Sequence, residues 1–360
     1  SDIGAKPWEF DPDHVFANKG FEVFANREVY VSLRLRANNH AGSLVSKGVD
    51  GLGKSFRVGG MERQGEEDYS FFSLMATKNN TIVNLSFDPA LRTFISQNEL
   101  PQTIILDKNE TYIAVFNGIH NDLFIGTHIE SQNNDIVVNS GSILGSFSNE
   151  IIDSPDFFFG EKSIGYLSGS DMGIDQIISL NSSVDATEYL LIKGDSFNSI
   201  ENALIIANED NTLVSLNNDT ATISLDAGEH VVIEGDKFTN NPSTVIDYLH
   251  IQSNKNIYVF QGTGKKGTAQ GWNLEEGVRV HYYGANQGMF FVPPLSCTSV
   301  GDVESIGRIN EVDENSSFSG SLFVLSSYGS SVKVNEENIL SLNNVVFETG
   351  PIQTSTADYQ

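Results

Sequence analysis

The sequence predicts an all-β protein, and three observations carry that prediction: a strand-and-turn phrase written twice, strand-type alternation along most of the chain, and no sustained helical period. Ala76-Thr77-Lys78-Asn79-Asn80-Thr81-Ile82-Val83-Asn84-Leu85 returns as Ala207-Asn208-Glu209-Asp210-Asn211-Thr212-Leu213-Val214-Ser215-Leu216. Matching segments follow each copy in the same order. Leu106-Asp107-Lys108-Asn109-Glu110 is answered by Leu225-Asp226-Ala227-Gly228-Glu229, and His128-Ile129-Glu130-Ser131 by His250-Ile251-Gln252-Ser253. The interval is about 120–130 residues, long enough for a whole supersecondary unit. A weaker third start, Phe323-Val324-Leu325-Ser326-Ser327-Tyr328-Gly329-Ser330-Ser331-Val332, follows Leu204 at a similar distance. Inside the phrase, an apolar run, a polar Asn/Asp turn and alternating residues spell strand, tight turn, strand.

The elements can be justified in order. Val29-Tyr30-Val31-Ser32-Leu33-Arg34-Leu35 alternates, as do Thr222-Ile223-Ser224-Leu225, Ile257-Tyr258-Val259-Phe260 and Ser331-Val332-Lys333-Val334, which fits strands with one buried face. Tyr189-Leu190-Leu191-Ile192 and Ala203-Leu204-Ile205-Ile206-Ala207 are apolar on both faces and read as central strands. Asn, Asp, Gly and Ser cluster between the runs because they tolerate turn conformations. About two dozen strands are expected, in groups of three to five. Radial repetition protects the edges of that many antiparallel strands, so a β-propeller of six or seven blades is the first expectation. The alternative is tandem β-sandwich modules, one per repeat. The chain divides into a lead-in over 1–27, a first β repeat over 28–146, an inserted loop region over 147–175, a second β repeat over 176–289, and a partial third repeat or closing strands over 290–360. The inserted region holds Phe157-Phe158-Phe159, which either pack down or form a recognition patch.

Composition narrows the function. Among 360 residues, 21 Lys and Arg face 47 Asp and Glu, a net charge of −26. That field repels phosphate backbones and anionic membrane surfaces, so nucleic acid is not an expected partner. Excess carboxylate attracts divalent cations through oxygen ligands, and a structural calcium is the one cofactor the composition suggests; surface acidity also serves solubility. Cys297 is the sole cysteine, which excludes an intrachain disulfide and multi-cysteine zinc sites. It reads as a buried structural thiol. No run approaches the roughly 20 apolar residues of a membrane span, so membrane insertion is not expected. The start, Ser1-Asp2-Ile3, carries neither Met nor a signal peptide and reads as the start of a processed or excised segment.

The chemistry-bearing motifs are sparse. Glu275-Glu276 beside Trp272 could set carboxylates next to a sugar platform, or could be a solvated turn. Gly264-Lys265-Lys266-Gly267 lacks the spacing of a phosphate-cradling loop. Histidines such as His14, His40, His120 and His128 are scattered, with no pattern placing two imidazoles on one helical face. His128 and His250 occupy equivalent repeat positions and should do the same structural job. Calcium could use Asp11-Pro12-Asp13, Asp171 with Asp175, or Asn208 to Asn211, although such residues also make side-chain-to-backbone turns. His40, Ser43, Lys47 and Arg57 lie on Gly-rich connections. They either form a pocket for a carboxylate or sugar hydroxyls, or tie that stretch to the scaffold. Lys265 to Tyr283 adds aromatic faces at Trp272, Tyr282 and Tyr283.

His40-Ala41-Gly42-Ser43-Leu44-Val45-Ser46-Lys47-Gly48 with Leu52-Gly53-Lys54-Ser55-Phe56-Arg57-Val58, Gly173-Ile174-Asp175-Gln176-Ile177 with Glu188-Tyr189-Leu190, Ala207 to Thr212, Ile257 to Gly262, and Asn286-Gln287-Gly288-Met289-Phe290-Phe291-Val292-Pro293-Pro294-Leu295 come in an order that carries a resemblance. From about Val29 to about Val334, the chain resembles the IgGFc-binding-protein N-terminal domain family, in the form found in large surface proteins of gliding, type IX-secreting bacteria. The resemblance implies an extracellular adhesive or ligand-binding module near the front of a longer protein. It implies neither antibody binding, since the family name comes from one eukaryotic member, nor catalytic residues.

The expectation is therefore a non-enzymatic, extracellular, cell-surface module, covalently part of a longer surface protein, that binds a glycan or partner protein. His40, Ser43, Lys47, Arg57, Trp272, Tyr282 and Tyr283 are its candidate ligand contacts. The rival readings are a carbohydrate-active enzyme on a propeller scaffold and a structural spacer.

Overall fold

The computed structural model describes residues 15–17, 20–27, 29–37, 40–61, 69–91, 100–117, 121–143, 151–153, 163–167, 173–180, 184–194, 198, 200–240, 247–263, 268–273, 278–283, 288–297, 311–313, 316–317, 323–325, 331–334, 337–341 and 346–348. At 36–37, 40–41, 117, 121–122, 143, 151–153, 163–167, 240, 268–273, 278–283, 297 and 311–348 this description is of the backbone alone.

The chain opens with β1 (Val15–Phe16) and a two-stranded ribbon, β2 (Ser32–Ala37) and β3 (His40–Val45). The first repeat contains β4 (Ser55–Arg57), β5 (Tyr69–Ala76), β6 (Thr81–Ser86), β7 (Thr103–Leu106), β8 (Thr111–Asn117), β9 (His128–Ser131) and β10 (Ile136–Ile143). Next come β11 (Ile151–Asp153), β12 (Ser163–Leu167) and β13 (Gly173–Ile177). The second repeat contains β14 (Glu188–Ile192), β15 (Asn202–Ala207), β16 (Thr212–Leu216), β17 (Thr222–Leu225), β18 (His230–Ile233), the short β19 (Thr239–Asn240), β20 (Asp247–Ser253) and β21 (Ile257–Thr263), then β22 (Thr268–Asn273), β23 (Val278–Tyr283) and β24 (Gly288–Phe291). β25 (Glu311–Asp313), β26 (Ser316–Ser317), β27 (Phe323–Leu325), β28 (Ser331–Val334), β29 (Glu337–Ser341) and β30 (Val346–Glu348) follow. Among the described residues, α-helix is confined to the single turn Asn121–Phe124, as the missing 3.6-residue period implies.

The repeat seen in the sequence is a repeat of strand order. One sheet of the first repeat runs β4-β9-β6-β7 and the other runs β8-β5-β10-β13, with β1 added beside β8. In the second repeat these become β14-β20-β16-β17, with β19 pairing β20, and β18-β15-β21-β24. Each duplicated phrase is thus a hairpin whose arms enter different sheets. The all-β class holds. A six- or seven-bladed propeller is not seen among the described residues, because the strands of one repeat divide between two sheets instead of forming consecutive four-stranded blades.

Alternation explains how the two sheets share a core. On β7, Ile104 and Leu106 are buried, whereas Ile105 is 63% exposed. Inward residues from both sheets of the first repeat, including Phe72, Leu74, Val83, Leu85, Tyr112, Phe116 and Ile129, belong to one apolar cluster. Phe116 and Phe124 pack with ring centroids 4.9 Å apart. Burial of each such phenyl group contributes about 2–3 kcal/mol. β15 is buried at all six positions between β18 and β21, in keeping with its doubly apolar sequence. β14, expected to be central, is an edge strand. Its outward Leu190 is covered by Tyr248 and Leu295, so both faces are apolar without a strand on each side.

The expected loop region over 147–175 contains β11, β12 and the start of β13. β11 and β12 lie between the seventh and eighth strands of the first unit, where β22 and β23 lie in the second. They are a counterpart of the second insertion instead of an interruption. β12 and β23 pair in parallel, joining both insertions in one sheet of order β11-β12-β23-β22. Phe157, Phe158 and Phe159 lie outside the described residues.

Candidate functional site

The duplicated turns form matching polar clamps. Asn80 and Asn211 adopt φ 54° and 56°, left-handed conformations that Asn tolerates through its short polar side chain. The Asp107 carboxylate accepts the Asn80 N–H at 3.0 Å, and Asp226 accepts that of Asn211 at the same distance. Glu110 and Glu229 accept the N–H groups of Asp107 and Asp226 at 2.8 and 2.7 Å. From the next hairpin, Asn133 and Asn254 accept the N–H groups of Ile82 and Leu213 at 3.1 and 2.7 Å. These contacts satisfy backbone donors where no strand partner is available. They give Asn208 to Asn211 a turn-forming role: Asp210 accepts the Ala227 N–H at 3.0 Å.

At the joint between the repeats, Arg57 leaves the end of β4 and is only 9% exposed. One guanidinium nitrogen donates to the Gly126 carbonyl of the first repeat at 3.0 Å, another to the Asn208 carbonyl of the second at 3.1 Å. Burial lowers its pKa, with opposing Coulombic contributions from Tyr258 and Asp210. Gly126 and Gly228 meet beside it with φ 87° and 88°. A Cβ on Gly126 would fall 2.0 Å from the Gly228 carbonyl oxygen. From β21, the buried Tyr258 hydroxyl donates to the Ser55 carbonyl at 3.2 Å and accepts the Leu180 N–H at 3.1 Å; burial pushes its pKa up.

A cleft of about 700 Å³ opens along this joint. Phe87, Leu123 and Ile125 from the first repeat and Leu225 from the second give it apolar walls, while Arg57, Asp88, Thr127, Glu229 and His230 supply polar groups. Its size and mixed lining suit a small ligand. Its walls come from turns far apart in the chain, so the sequence offered only Arg57 among them as a ligand contact, and the lining segment Leu225 to Glu229 stood out as part of the repeat alone.

The early polar quartet is distributed over different partners. His40 pairs with Ala37 in the β2–β3 ribbon, and Ser43, exposed, pairs with Arg34. The Lys47 N–H donates to Gln176 at 2.6 Å and its ammonium to Asp175 at 3.2 Å. Asp175 also accepts the Gln176 and Phe291 N–H groups at 2.8 and 3.0 Å, so its carboxylate locks β13 against both Lys47 and β24. Burial raises its pKa, while Lys47 and the hydrogen bonds oppose the shift. Lys47 and Arg57 thus show the tying role that the sequence left open.

The equivalent histidines reach equivalent positions. His128 meets the Ser55 hydroxyl at 2.9 Å, and His250 meets the Glu188 carboxylate at 2.8 Å, each reaching the strand beside its own. Burial and then Arg57 lower the His128 pKa, against a smaller opposing pull from Glu130. Among the described residues, no group of three His, Cys, Asp or Glu is placed to hold a metal. His14, His120, Asp11, Asp13, Asp171, Gly264 to Gly267, Glu275 and Glu276 lie outside those residues, as does the Cys297 side chain.

The three aromatic candidates fall in the insertion sheet. Trp272 pairs with Arg279, Tyr282 with Ala269, and Tyr283 with Thr268 across β22–β23. Tyr166 lies opposite Tyr282 across the parallel β12–β23 seam. Trp272 and Tyr283 are about 13 Å apart along this ribbon at the ordinary strand rise. The pairing brings aromatic positions from two distant chain segments into one sheet.

These features define an all-β binding domain built from repeated two-sheet units. A model of the family described as IgGFc binding protein matches residues 41–356, and the chain belongs to that family. No curated protein and no solved structure gives a significant match.

Proposed function

We propose that the chain is the ligand-binding part of a longer extracellular surface protein and adheres to a glycan or partner protein through its insertion sheet. The observation that carries this reading is the parallel seam between β12 and β23, which brings Tyr166, Trp272, Tyr282 and Tyr283 into one four-stranded sheet. Aromatic side chains supply large contact area with few rotatable bonds, and suit both sugar faces and protein surfaces. Family membership supports binding over catalysis. The resemblance to surface proteins of gliding, type IX-secreting bacteria supports a cell-surface adhesin. His40, Ser43 and the joint cleft provide further contact positions, with Lys47 and Arg57 supporting them from the scaffold.

The test is adhesion to the natural surface together with a glycan array, using Trp272→Ala, Tyr283→Ala and the double variant. Binding should fall at least about tenfold in the double variant, about 1.4 kcal/mol, while the melting temperature stays within about 2 °C of the parent. Unchanged binding, or loss of binding only with collapse of the fold, refutes the assignment.

A further inference from the structure

The register of the insertion sheet sorts its residues between two faces. Residues directly opposite one another across a ladder share a face, and successive residues along a strand alternate. Tyr166, Tyr282 and Ala269 form one cross-strand row, and Ile164, Val280 and Gly271 form another two residues along, on the same face. The intervening rows belong to the other face: Ser163 with Arg279 and Trp272, Gly165 with His281 and Gln270, and Leu167 with Tyr283 and Thr268. The first face is mainly aliphatic and tyrosine. The second mixes aromatic, cationic and hydrogen-bonding residues.

Charge divides in the same way. In the chain as a whole 47 Asp and Glu outnumber 21 Lys and Arg, and the strands of this sheet reverse that balance on one face. Their one carboxylate, Asp153, pairs with Ile164 and so belongs to the aliphatic face, whereas their one guanidinium, Arg279, belongs to the face of Trp272 and Tyr283. Glu275 and Glu276 belong to the connection beyond the Asn273↔Val278 pair and to neither strand. Arg279 is directly opposite Trp272, and the Tyr283↔Thr268 pair follows about 13 Å along the strands, with His281 and Gln270 between. Tyr282 is thereby on the opposite face from both Trp272 and Tyr283.

We propose that the face carrying Trp272, Arg279, His281 and Tyr283 binds an acidic saccharide, one whose sugars bear carboxylate or sulfate groups. The proposal rests on the ligand reading of the insertion sheet and narrows it to one face and one ligand class. Aromatic residues at the two ends of this face suit the apolar faces of sugar rings, and Gln270 and Thr268 suit their hydroxyls. Neither selects charge. Arg279 does, because a guanidinium engages two oxygens of a carboxylate or sulfate in parallel, charge-assisted hydrogen bonds. An acidic protein repels such a ligand at long range, so local recognition requires a cation whose own face carries no acid. Aromatic positions separated by polar rows, in place of a continuous apolar patch, also favour a saccharide over a protein surface.

The full 360-residue chain would be titrated calorimetrically with oligogalacturonate and its methyl ester, and with dextran sulfate and dextran. Each pair shares a backbone and differs in charge, and the two pairs separate carboxylate from sulfate as the group recognised. At least one charged probe should bind about tenfold or more tightly than its neutral counterpart. Arg279→Gln should abolish that preference, and Tyr282→Phe, on the other face, should leave it unchanged. Equal binding of charged and neutral probes, no binding of any of them, a preference retained in Arg279→Gln or a preference lost in Tyr282→Phe overturns the proposal. If the double variant Trp272→Ala, Tyr283→Ala still weakens adhesion to the natural surface in that case, the ligand reading of the sheet stands and the acidic saccharide alone falls; if adhesion is unchanged, both fall. The comparison of charged with neutral probes requires no variant, so it decides the matter even if Arg279→Gln does not fold.

Discussion

Arg57 offers a direct test of how the repeats are held together. Arg57→Ala removes donors to the Gly126 and Asn208 carbonyls, one in each repeat. Hydrogen bonds from a charged donor contribute about 1.5–3 kcal/mol each, and a buried acceptor left alone costs about 1–3. Desolvation of the guanidinium, visible in its lowered pKa, and an Nε with no partner act in the opposite direction. The net loss should therefore be about 2–4 kcal/mol for Ala and about 1–3 for Met, which keeps the aliphatic packing. Chemical denaturation measures the difference as a shift in midpoint at constant slope. Gly228→Ala should couple to this change, because its Cβ would lie 3.0 Å from an Arg57 nitrogen; the double variant should depart from additivity by about 0.5 kcal/mol or more. A loss for Arg57→Ala under about 0.5 kcal/mol would show that these bonds do not hold the joint.

Other expectations concern the clamps and buried titrating groups. Asp107→Ala and Asp226→Ala should each cost about 0.5–1.5 kcal/mol in denaturant titrations and add in combination, since their turns belong to different repeats. A nonadditive or strongly unequal pair would break that equivalence. His128 has a folded pKa below its ordinary 6.5, so its contribution is present above 6.5 and is lost as pH falls through the lowered value. Stability profiles below pH 6.5 should be flatter in His128→Gln than in the parent. Asp175 has the opposite sign: its raised folded pKa gives a contribution present below 3.8 and lost as pH rises through the raised value. Asp175→Asn should remove that slope in the same titration, and persistence of the slope would assign it elsewhere.

The sequence made the repeat legible because the turn clamps require particular residues. Asn80 with Asp107 and Asn211 with Asp226 recur because a left-handed turn and its carboxylate acceptor constrain chemistry more tightly than an apolar strand does. Sheet membership was less legible, since alternation reports one buried face but not which strand lies alongside. β14 illustrates the limit: Tyr189-Leu190-Leu191 looks central because Leu295 and Tyr248 cover the outer face of an edge strand. The aromatic sheet was legible only as Trp272, Tyr282 and Tyr283, because its other half arrives from the first repeat through β12. Arg57 could be recognised as a rare basic group, but its two carbonyl partners lie far away in sequence and carry no side-chain signature.

The contact between Gly126 and Gly228 gives a row of these units a direction. The turn holding Gly228 has its counterpart at Asn109, whose φ is 65° and whose side chain is tolerated away from the joint. The repeats therefore meet through unlike surfaces, the approach to β9 on one and the β17–β18 turn on the other. A contact between unlike surfaces leaves its complementary faces unused at opposite ends, so it extends as a polar series instead of closing as a symmetric pair. Exchanging the order of the repeats would bring Asn109 to the place of Gly228, where a Cβ lies 3.0 Å from an Arg57 nitrogen and 3.3 Å from the Gly126 carbonyl oxygen. Duplication supplied two similar units, but a side chain in place of Gly228 would press on Arg57 and the Gly126 carbonyl, so the two are not equivalent at the joint.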